Sequence, residues 1–148
     1  MTELQRLGTQ AGEGVFARVL AGGIVVGLSA ALIVAAWLTP SEAGLGTHHQ
    51  LGLPPCSLRV LLGMRCPSCG MTTSWAHFMR GNLVAAASVN TGGLLLALFA
   101  LFVIPVSARL AWTGKTPGDV TLRRGTIALV GIVIITGVDW IVRLTFLS

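Results

Sequence analysis

Three long apolar stretches constrain this chain more than any other feature of its sequence. The first, at 19–38, carries no charged residue, and the second and third lie at 91–111 and 126–146. At about 1.5 Å of rise per helical residue, twenty residues cover the ~30 Å hydrocarbon core of a bilayer. Only 10% of all residues are charged, whereas a soluble domain has about 25%. The sequence therefore predicts an all-α membrane protein with three transmembrane helices.

The chain divides as a single membrane domain with one long insert. We place an N-terminal arm at 1–18, the transmembrane helices at 19–38, 91–111 and 126–146, a Cys-bearing insert at 39–90 and a basic connection at 112–125. A cleaved signal peptide is the alternative for the first stretch. Its apolar core exceeds the roughly 7–15 residues of such peptides, so we interpret it as an anchor.

Basic residues predict the orientation and the location. Six lie on the side of the N-terminal arm and the basic connection (Arg6, Arg18, Arg109, Lys115, Arg123 and Arg124), against four on the other side (Arg59, Arg65, Arg80 and Arg143). Because cytoplasmic loops are richer in Lys and Arg, we predict a cytoplasmic N-terminus and an outward-facing insert in a bacterial cytoplasmic membrane. We interpret the net charge of +5 as an indication of membrane topology and of attraction to anionic lipid head groups, not of nucleic-acid binding.

Two charged residues, Asp139 and Arg143, lie inside the third apolar stretch. They are four residues apart on one helical face, with the acid first, which is the favourable order for an ion pair. Charges within a membrane are functional candidates by default, although Arg143 is near enough to the end of the helix to snorkel. We interpret the pair as an anchor of the third helix on the insert, with a proton or ion path as the alternative.

The insert contains the main chemical feature of the chain, Cys66-Pro67-Ser68-Cys69-Gly70, with Cys56 ten residues before it. Thiolates at this spacing wrap a tetrahedral metal, because the proline stiffens the turn and the glycine lets the backbone fold toward the second sulfur. The rest of the insert predicts turns and short helices, including an apolar run at 58–62 that is too short to span. We therefore expect a cap of short helices at one membrane face, and call residues 39–90 the cap.

The cap resembles the uncharacterised bacterial membrane-protein family catalogued as domain of unknown function 2752. The residues that carry the resemblance are Cys56, the run 63–72 around the Cys-Pro-Ser-Cys-Gly motif, Arg80-Gly81-Asn82, Ala86-Ala87 and Asn90. Thr73, Asn82 and Thr91 stand where the family usually has Arg, Asp and Pro. The resemblance implies a small multi-pass membrane protein with a three-cysteine cap, and it implies no reaction.

The cysteines admit four interpretations, of which a metal site is preferred. Zn²⁺ would be held by Cys56, Cys66 and Cys69, with His77, or else His48 or His49, as the fourth ligand. Such a closed site would be structural, because the cap is too small to be held together by core burial alone.

The second interpretation is a redox pair of Cys66 and Cys69, which an outward-facing cap would favour and a cytoplasmic one would not. No strand–helix alternation of the thioredoxin type accompanies it. The third is that the cysteines pack as small hydrophobic side chains. The fourth is a nucleophilic cysteine with His77 as base, for which no orienting group is visible.

No catalytic constellation or phosphate-binding loop appears in the sequence. We therefore expect a non-enzymatic membrane component whose cap is a structural metal site and a partner-binding surface. The alternative is a membrane thiol-disulfide redox or metal-handling protein that uses Cys66 and Cys69. Small residues four apart in the first helix, Gly23, Gly27, Ala31 and Ala35, favour packing against a membrane-protein partner or a second copy.

Overall fold

The computed structural model describes the backbone of residues 3–146 and the side chains of residues 14–145 other than Arg59. Within this part the regular elements are all helical: α1 Glu3–Trp37, a 3-10 helix Thr47–Leu51, α2 Ser57–Leu62, α3 Met71–Met79, α4 Leu83–Val89, α5 Thr91–Thr113 and α6 Asp119–Phe146. The predicted all-α class is confirmed. Side chains of the predicted N-terminal arm up to residue 13, including Arg6, lie outside the described ones, as does that of Arg59.

Three helices are long and apolar enough to cross a membrane. Their spanning portions are Gly14–Trp37 in α1, Thr91–Thr113 in α5 and Asp119–Thr145 in α6. The predicted number of transmembrane helices is confirmed, with the cysteines between the first and second. α6 begins at Asp119, ahead of its apolar stretch, because a carboxylate in the first turn favours a helix N-terminus. The division into arm, cap and basic connection stays a prediction.

The core of the protein lies where α3 meets the first two spanning helices. Leu32 of α1 packs with Ala97 and Ala100 of α5, and Trp75 and Phe78 of α3 pack against this group. α6 packs along α5. The apolar face of α3 therefore contacts protein and fixes the cap to two of the three spans.

Close approach of α5 and α6 depends on a glycine. A Cβ added at Gly92 would overlap the side chain of Thr136. Small residues of this kind let membrane helices pack backbone against backbone, where dispersion contacts drive their association. Gly92 therefore helps to position α6 beside the cap.

The predicted row of small residues on α1 is divided between two environments. Ala35 is buried together with Ala21 and Leu32. Gly23, Gly27 and Ala31 are exposed, and a Cβ added at either glycine meets no atom within 4 Å. The face of α1 that carries Ala21, Leu32 and Ala35 thus packs within the chain, whereas the glycine row faces outward.

Helix α2 is the least supported element of the cap. It packs against none of the other described helices, and its apolar residues Val60, Leu61 and Leu62 are exposed. A six-residue helix is far below the length at which isolated helices are stable in water. Its position therefore depends on its two ends, of which the first is Cys56.

Candidate metal centre

Three sulfur atoms meet in the cap. The Sγ atoms of Cys56, Cys66 and Cys69 all lie within 4.8 Å of one another, and each residue is half-buried. The Cys66 and Cys69 sulfurs are 3.2 Å apart, a hydrogen-bonding contact. Cys56 immediately precedes α2, so residues from two separate loops form the cluster.

Two successive turns shape the loop that carries the cysteine pair. The Cys69 N–H donates to the Cys66 carbonyl at 3.0 Å, and the Met71 N–H donates to the Ser68 carbonyl at 3.0 Å. Gly70 follows with φ of 85°, in the left-handed region that glycine adopts without strain. A Cβ there would lie 2.8 Å from Val89 Cγ1 and 3.1 Å from the Gly44 carbonyl oxygen. Glycine is therefore required at this position for both backbone and steric reasons.

Asn90 ties this loop to the second spanning helix. Its side-chain Nδ2 donates to the carbonyls of Pro67 at 3.1 Å and Cys69 at 3.0 Å. Its Oδ1 accepts the Gly93 N–H at 2.7 Å, which caps the N-terminus of α5. Since the residue is only 4% exposed, these bonds satisfy polar groups that water does not reach.

A buried pair of threonines holds the other wall of the site. The hydroxyls of Thr47 and Thr73 are 2.8 Å apart, and Thr47 Oγ1 also accepts the Ser41 N–H at 3.0 Å. Thr73 is fully buried. Thr73 thus places a short hydroxyl where it bonds the 3-10 helix to α3.

The C-terminal end of α6 contacts the cap through the charged pair. Arg143 Nε donates to Asp139 Oδ2 at 2.8 Å. The guanidinium also donates to the carbonyls of Ser88 at 3.0 Å and Val89 at 2.9 Å, at the end of α4. Thr91 Oγ1 donates to Asp139 Oδ1 at 3.4 Å. The pair therefore joins α6 to the junction of α4 and α5.

A tryptophan makes a second link from α6 to the cysteine loop. Trp140 Nε1 donates to the Arg65 carbonyl at 2.6 Å, next to the first cysteine of the pair. A small cavity of about 20 Å³ lies between the cysteine loop and the charged pair of α6. It is lined by Cys66, Cys69, Asp139, Arg143 and neighbouring residues. The cysteine loop is thus held from both α5 and α6.

The histidines differ in their relation to the cysteines. A cavity of about 200 Å³ is lined by the three cysteines together with His48 and His49. His77 lies on α3 and does not line this cavity. Among the described residues, none of these histidines belongs to the group of ligand atoms within 4.8 Å. The assignment of a fourth ligand stays a prediction.

The ring of His49 is held in a defined orientation. Its Nδ1 lies 3.1 Å from the Leu53 carbonyl oxygen, and because a carbonyl only accepts, Nδ1 must carry the proton of this bond. In the neutral ring Nε2 then keeps its lone pair. Histidines that bind metals show this arrangement, since the second nitrogen donates to a carbonyl or carboxylate.

The surroundings of Cys66 in the cap favour its neutral thiol over the thiolate. Burial raises its pKa from the ordinary 9.0 to about 12, and hydrogen bonds with Cys69 and Cys56 act in the same direction. A thiolate is the form required of a nucleophile, so the raised pKa disfavours Cys66 in that role. The chemistry of the cysteines stays a prediction. A bound cation would reverse the preference by stabilising the thiolate.

Sequence reasoning missed the contacts that position the loop. Asn90 was identifiable as a helix cap from its place before α5, but its amide donors to Pro67 and Cys69 had no local signal. A tryptophan near the end of a spanning helix, such as Trp140, is typical of the membrane interface, and nothing in its local sequence indicates a contact with the cysteine loop. A buried Thr47–Thr73 pair has no sequence signature of its own, because its members are 26 positions apart.

The cysteine cluster lies within the part of the chain that matches a known family. No curated protein and no solved structure matches this chain. Residues 56–104, about a third of the chain, match the family described as protein of unknown function (DUF2752). The matched segment runs from Cys56 through α2, α3 and α4 into α5, and excludes α6 and the two histidines of the cavity. The resemblance to this uncharacterised family is confirmed over residues 56–104.

Proposed function

We propose that this is a non-enzymatic multi-pass membrane protein whose cap is a structural zinc site held by Cys56, Cys66 and Cys69. The observation that carries the proposal is the approach of all three sulfurs to within 4.8 Å. Zn–S bonds of ~2.3 Å in a tetrahedron separate sulfurs by about 3.8 Å. A slight spreading of the 3.2 Å pair suits this geometry.

The fourth ligand is proposed from the histidines. His77 is the residue suggested by chain spacing, whereas His48 and His49 share the cavity with the sulfurs. Of these we favour His49, because its Nδ1 contact to Leu53 leaves Nε2 as the metal-binding nitrogen. Ligation by this residue would tie the 3-10 helix to the cysteine loop.

A structural role follows from what the metal would hold together. The cap has little apolar core of its own, and α2 is supported mainly through Cys56. The free energy of metal binding in such a small unit becomes free energy of folding. The site therefore stabilises the cap in the way that disulfides or metals stabilise small domains.

Elemental analysis tests the proposal. Protein purified in detergent should contain about one Zn²⁺ per chain, and Cys56→Ser, Cys66→Ser or Cys69→Ser should each release it. His49→Ala should weaken metal retention more than His48→Ala or His77→Ala. Wild-type protein that stays metal-free after zinc loading, and is as stable as the cysteine variants, would rule out the structural site.

The second candidate function is thiol-disulfide exchange by Cys66 and Cys69, favoured by their 3.2 Å sulfur contact. The raised pKa of Cys66 opposes it, because exchange begins from a thiolate. Mass spectrometry after thiol blocking distinguishes the two functions. A reducible Cys66–Cys69 link in metal-free protein supports exchange, whereas two thiols that remain reduced under oxidising conditions exclude it.

Association with a second copy is the partner interaction that we propose for this membrane component. Outward-facing Gly23, Gly27 and Ala31 on α1 leave open space for a close helix contact. The exposed apolar side of α2 offers the cap a further contact surface. The alternative is that a different membrane protein packs against the same row of small residues on α1.

We also propose that the protein lies in a bacterial cytoplasmic membrane, with the N-terminus and the α5–α6 connection on the cytoplasmic side. The excess of basic residues on that side supports this orientation. Reporter fusions in the 114–118 connection and after the C-terminus test it. Activity of a periplasm-dependent reporter in the connection would reverse the orientation.

A further inference from the structure

The far end of the molecule from the cysteines contains an apolar groove between α5 and α6. The groove has a volume of about 300 Å³, and its walls include Phe99, Phe102, Leu110 and Leu129. Gly125 of α6 forms part of its floor, where an added Cβ would lie 3.9 Å from Phe102. The absence of a side chain at Gly125 helps to keep the groove open.

A second cavity, with two cationic residues in its wall, adjoins this groove. It has a volume of about 320 Å³ and is lined by Arg109 and Lys115. Val106, Pro117 and Thr121 line both cavities. The two spaces therefore adjoin along these three residues. We call the pair the cleft, apolar at one end and cationic at the other.

Neither cation of this cleft forms an ion pair with a carboxylate in the part of the chain whose side chains are described. Among the side chains that the structure describes, ion pairing is confined to Asp139 and Arg143. Asp119, the acid at the start of α6, lines neither cavity. Arg18 lies at the same end but donates to the Ala111 and Trp112 carbonyls. Arg109 and Lys115 are thus the positive charges that the cleft presents to a ligand.

We propose that this cleft binds an anionic phospholipid. The phosphate would contact Arg109 and Lys115, and one acyl chain would lie in the groove beside Phe102. Charge complementarity selects the headgroup, since basic residues at the membrane surface attract anionic lipids and basic pockets between transmembrane helices bind their headgroups. The adjacency of the apolar and cationic cavities favours an amphiphile over a free anion, because only an amphiphile contacts both. This inference is independent of the zinc site.

Native mass spectrometry of the full-length, delipidated protein in detergent tests the headgroup. Phosphatidylglycerol should bind at least about tenfold more tightly than phosphatidylcholine with the same chains. The Arg109→Gln/Lys115→Gln variant should lose this preference. Arg123→Gln/Arg124→Gln, with the same change of net charge at exposed positions outside the cleft, should retain phosphatidylglycerol within about twofold.

A second pair of variants tests the acyl-chain groove. Gly125→Leu fills the groove and should weaken the binding of both lipids about tenfold. Gly131 lies on the same helix, but a Cβ added there meets open space. Gly131→Leu should therefore leave the binding of both lipids unchanged. If the double glutamine variant fails to fold, Lys115→Gln alone, in the connection, supplies the charge test. Three outcomes would each overturn the proposal. The two charge variants could lose phosphatidylglycerol affinity equally, Gly125→Leu could bind both lipids as the wild type does, or inorganic phosphate could displace phosphatidylglycerol fully.

Discussion

The Asn90 side-chain amide donates to the Cys69 carbonyl at 3.0 Å. The Oδ1 atom of the same side chain caps α5 by accepting the Gly93 N–H. One nearly buried residue therefore sets the position of the second sulfur relative to a spanning helix. Loss of this side chain would leave several backbone groups unpaired away from water, which costs more than the loss of a hydrogen bond in solution.

Asn90→Ala should lower the free energy of unfolding by about 2–3 kcal/mol. Asn82→Ala is the matched control, because Asn82 caps α4 through the Ala85 N–H at an exposed position. The control should cost only about 1 kcal/mol. Denaturation in a fixed detergent measures both. Equal losses would mean that the contacts of Asn90 with Pro67 and Cys69 contribute nothing beyond capping.

Arg143→Ala should destabilise the protein by about 1–2 kcal/mol more than Asp139→Ala, because Arg143 also bonds the Ser88 and Val89 carbonyls. The ion pair itself is partly exposed, with side chains 20% and 26% accessible, so its coupling in a double-mutant cycle should be about 1 kcal/mol or less. Arg124→Ala at an exposed site is the control. A larger effect from Asp139→Ala, or none from either change, would favour a proton or ion path over an anchor.

The three spanning helices were predictable because each rests on local composition. A long apolar stretch has few stable alternatives in a bilayer other than a helix. The short helices of the cap carried local signals as well, such as Asn82 and Gly81 between α3 and α4. Long-range contacts carried none. Trp140 and Arg65 are 75 residues apart, and nothing in either segment indicates that they meet.

The cysteine cluster was predictable in part for the same reason. Cys66 and Cys69 are brought together by a local turn, and ten residues suffice for Cys56 to return. The neighbourhood of the histidines required the tertiary fold. His77 follows the cysteine pair closely in the sequence, but the 3-10 helix that carries His48 and His49 is held near the cysteines by the buried Thr47–Thr73 bond.

Gly70→Ala should be far more damaging than Gly81→Ala. Both glycines have positive φ, 85° and 75°, so both variants incur the same backbone strain of about 1 kcal/mol. Only at Gly70 would the new methyl group lie 2.8 Å from Val89, which adds a steric cost of about 1–3 kcal/mol. Melting temperature together with zinc retention measures the difference. Indistinguishable variants would show that the loop adjusts freely.

Gly27→Leu should weaken self-association in detergent at least about tenfold, because a large side chain separates helices that pack through small residues. Gly22→Leu is the matched control: it also meets open space but lies off the row formed by Gly23, Gly27 and Ala31. Analytical ultracentrifugation measures both variants. A wild-type chain that remains monomeric at high protein-to-detergent ratio would remove the second copy as the partner.

The raised pKa of Cys66 predicts the pH dependence of its alkylation. In the reduced, metal-free protein the thiol is favoured by folding, so this contribution to stability is complete below pH 9.0 and is lost as the pH rises toward about 12. The rate of Cys66 alkylation, followed site by site by mass spectrometry, should still be rising at pH 10–11. In denaturant the alkylation rate of the same residue should level off just above its ordinary pKa of 9.0. Restricted access of the reagent lowers the alkylation rate at every pH by the same factor and does not change the pH at which the rate levels off. A plateau near pH 9 in the folded protein would therefore contradict the raised pKa.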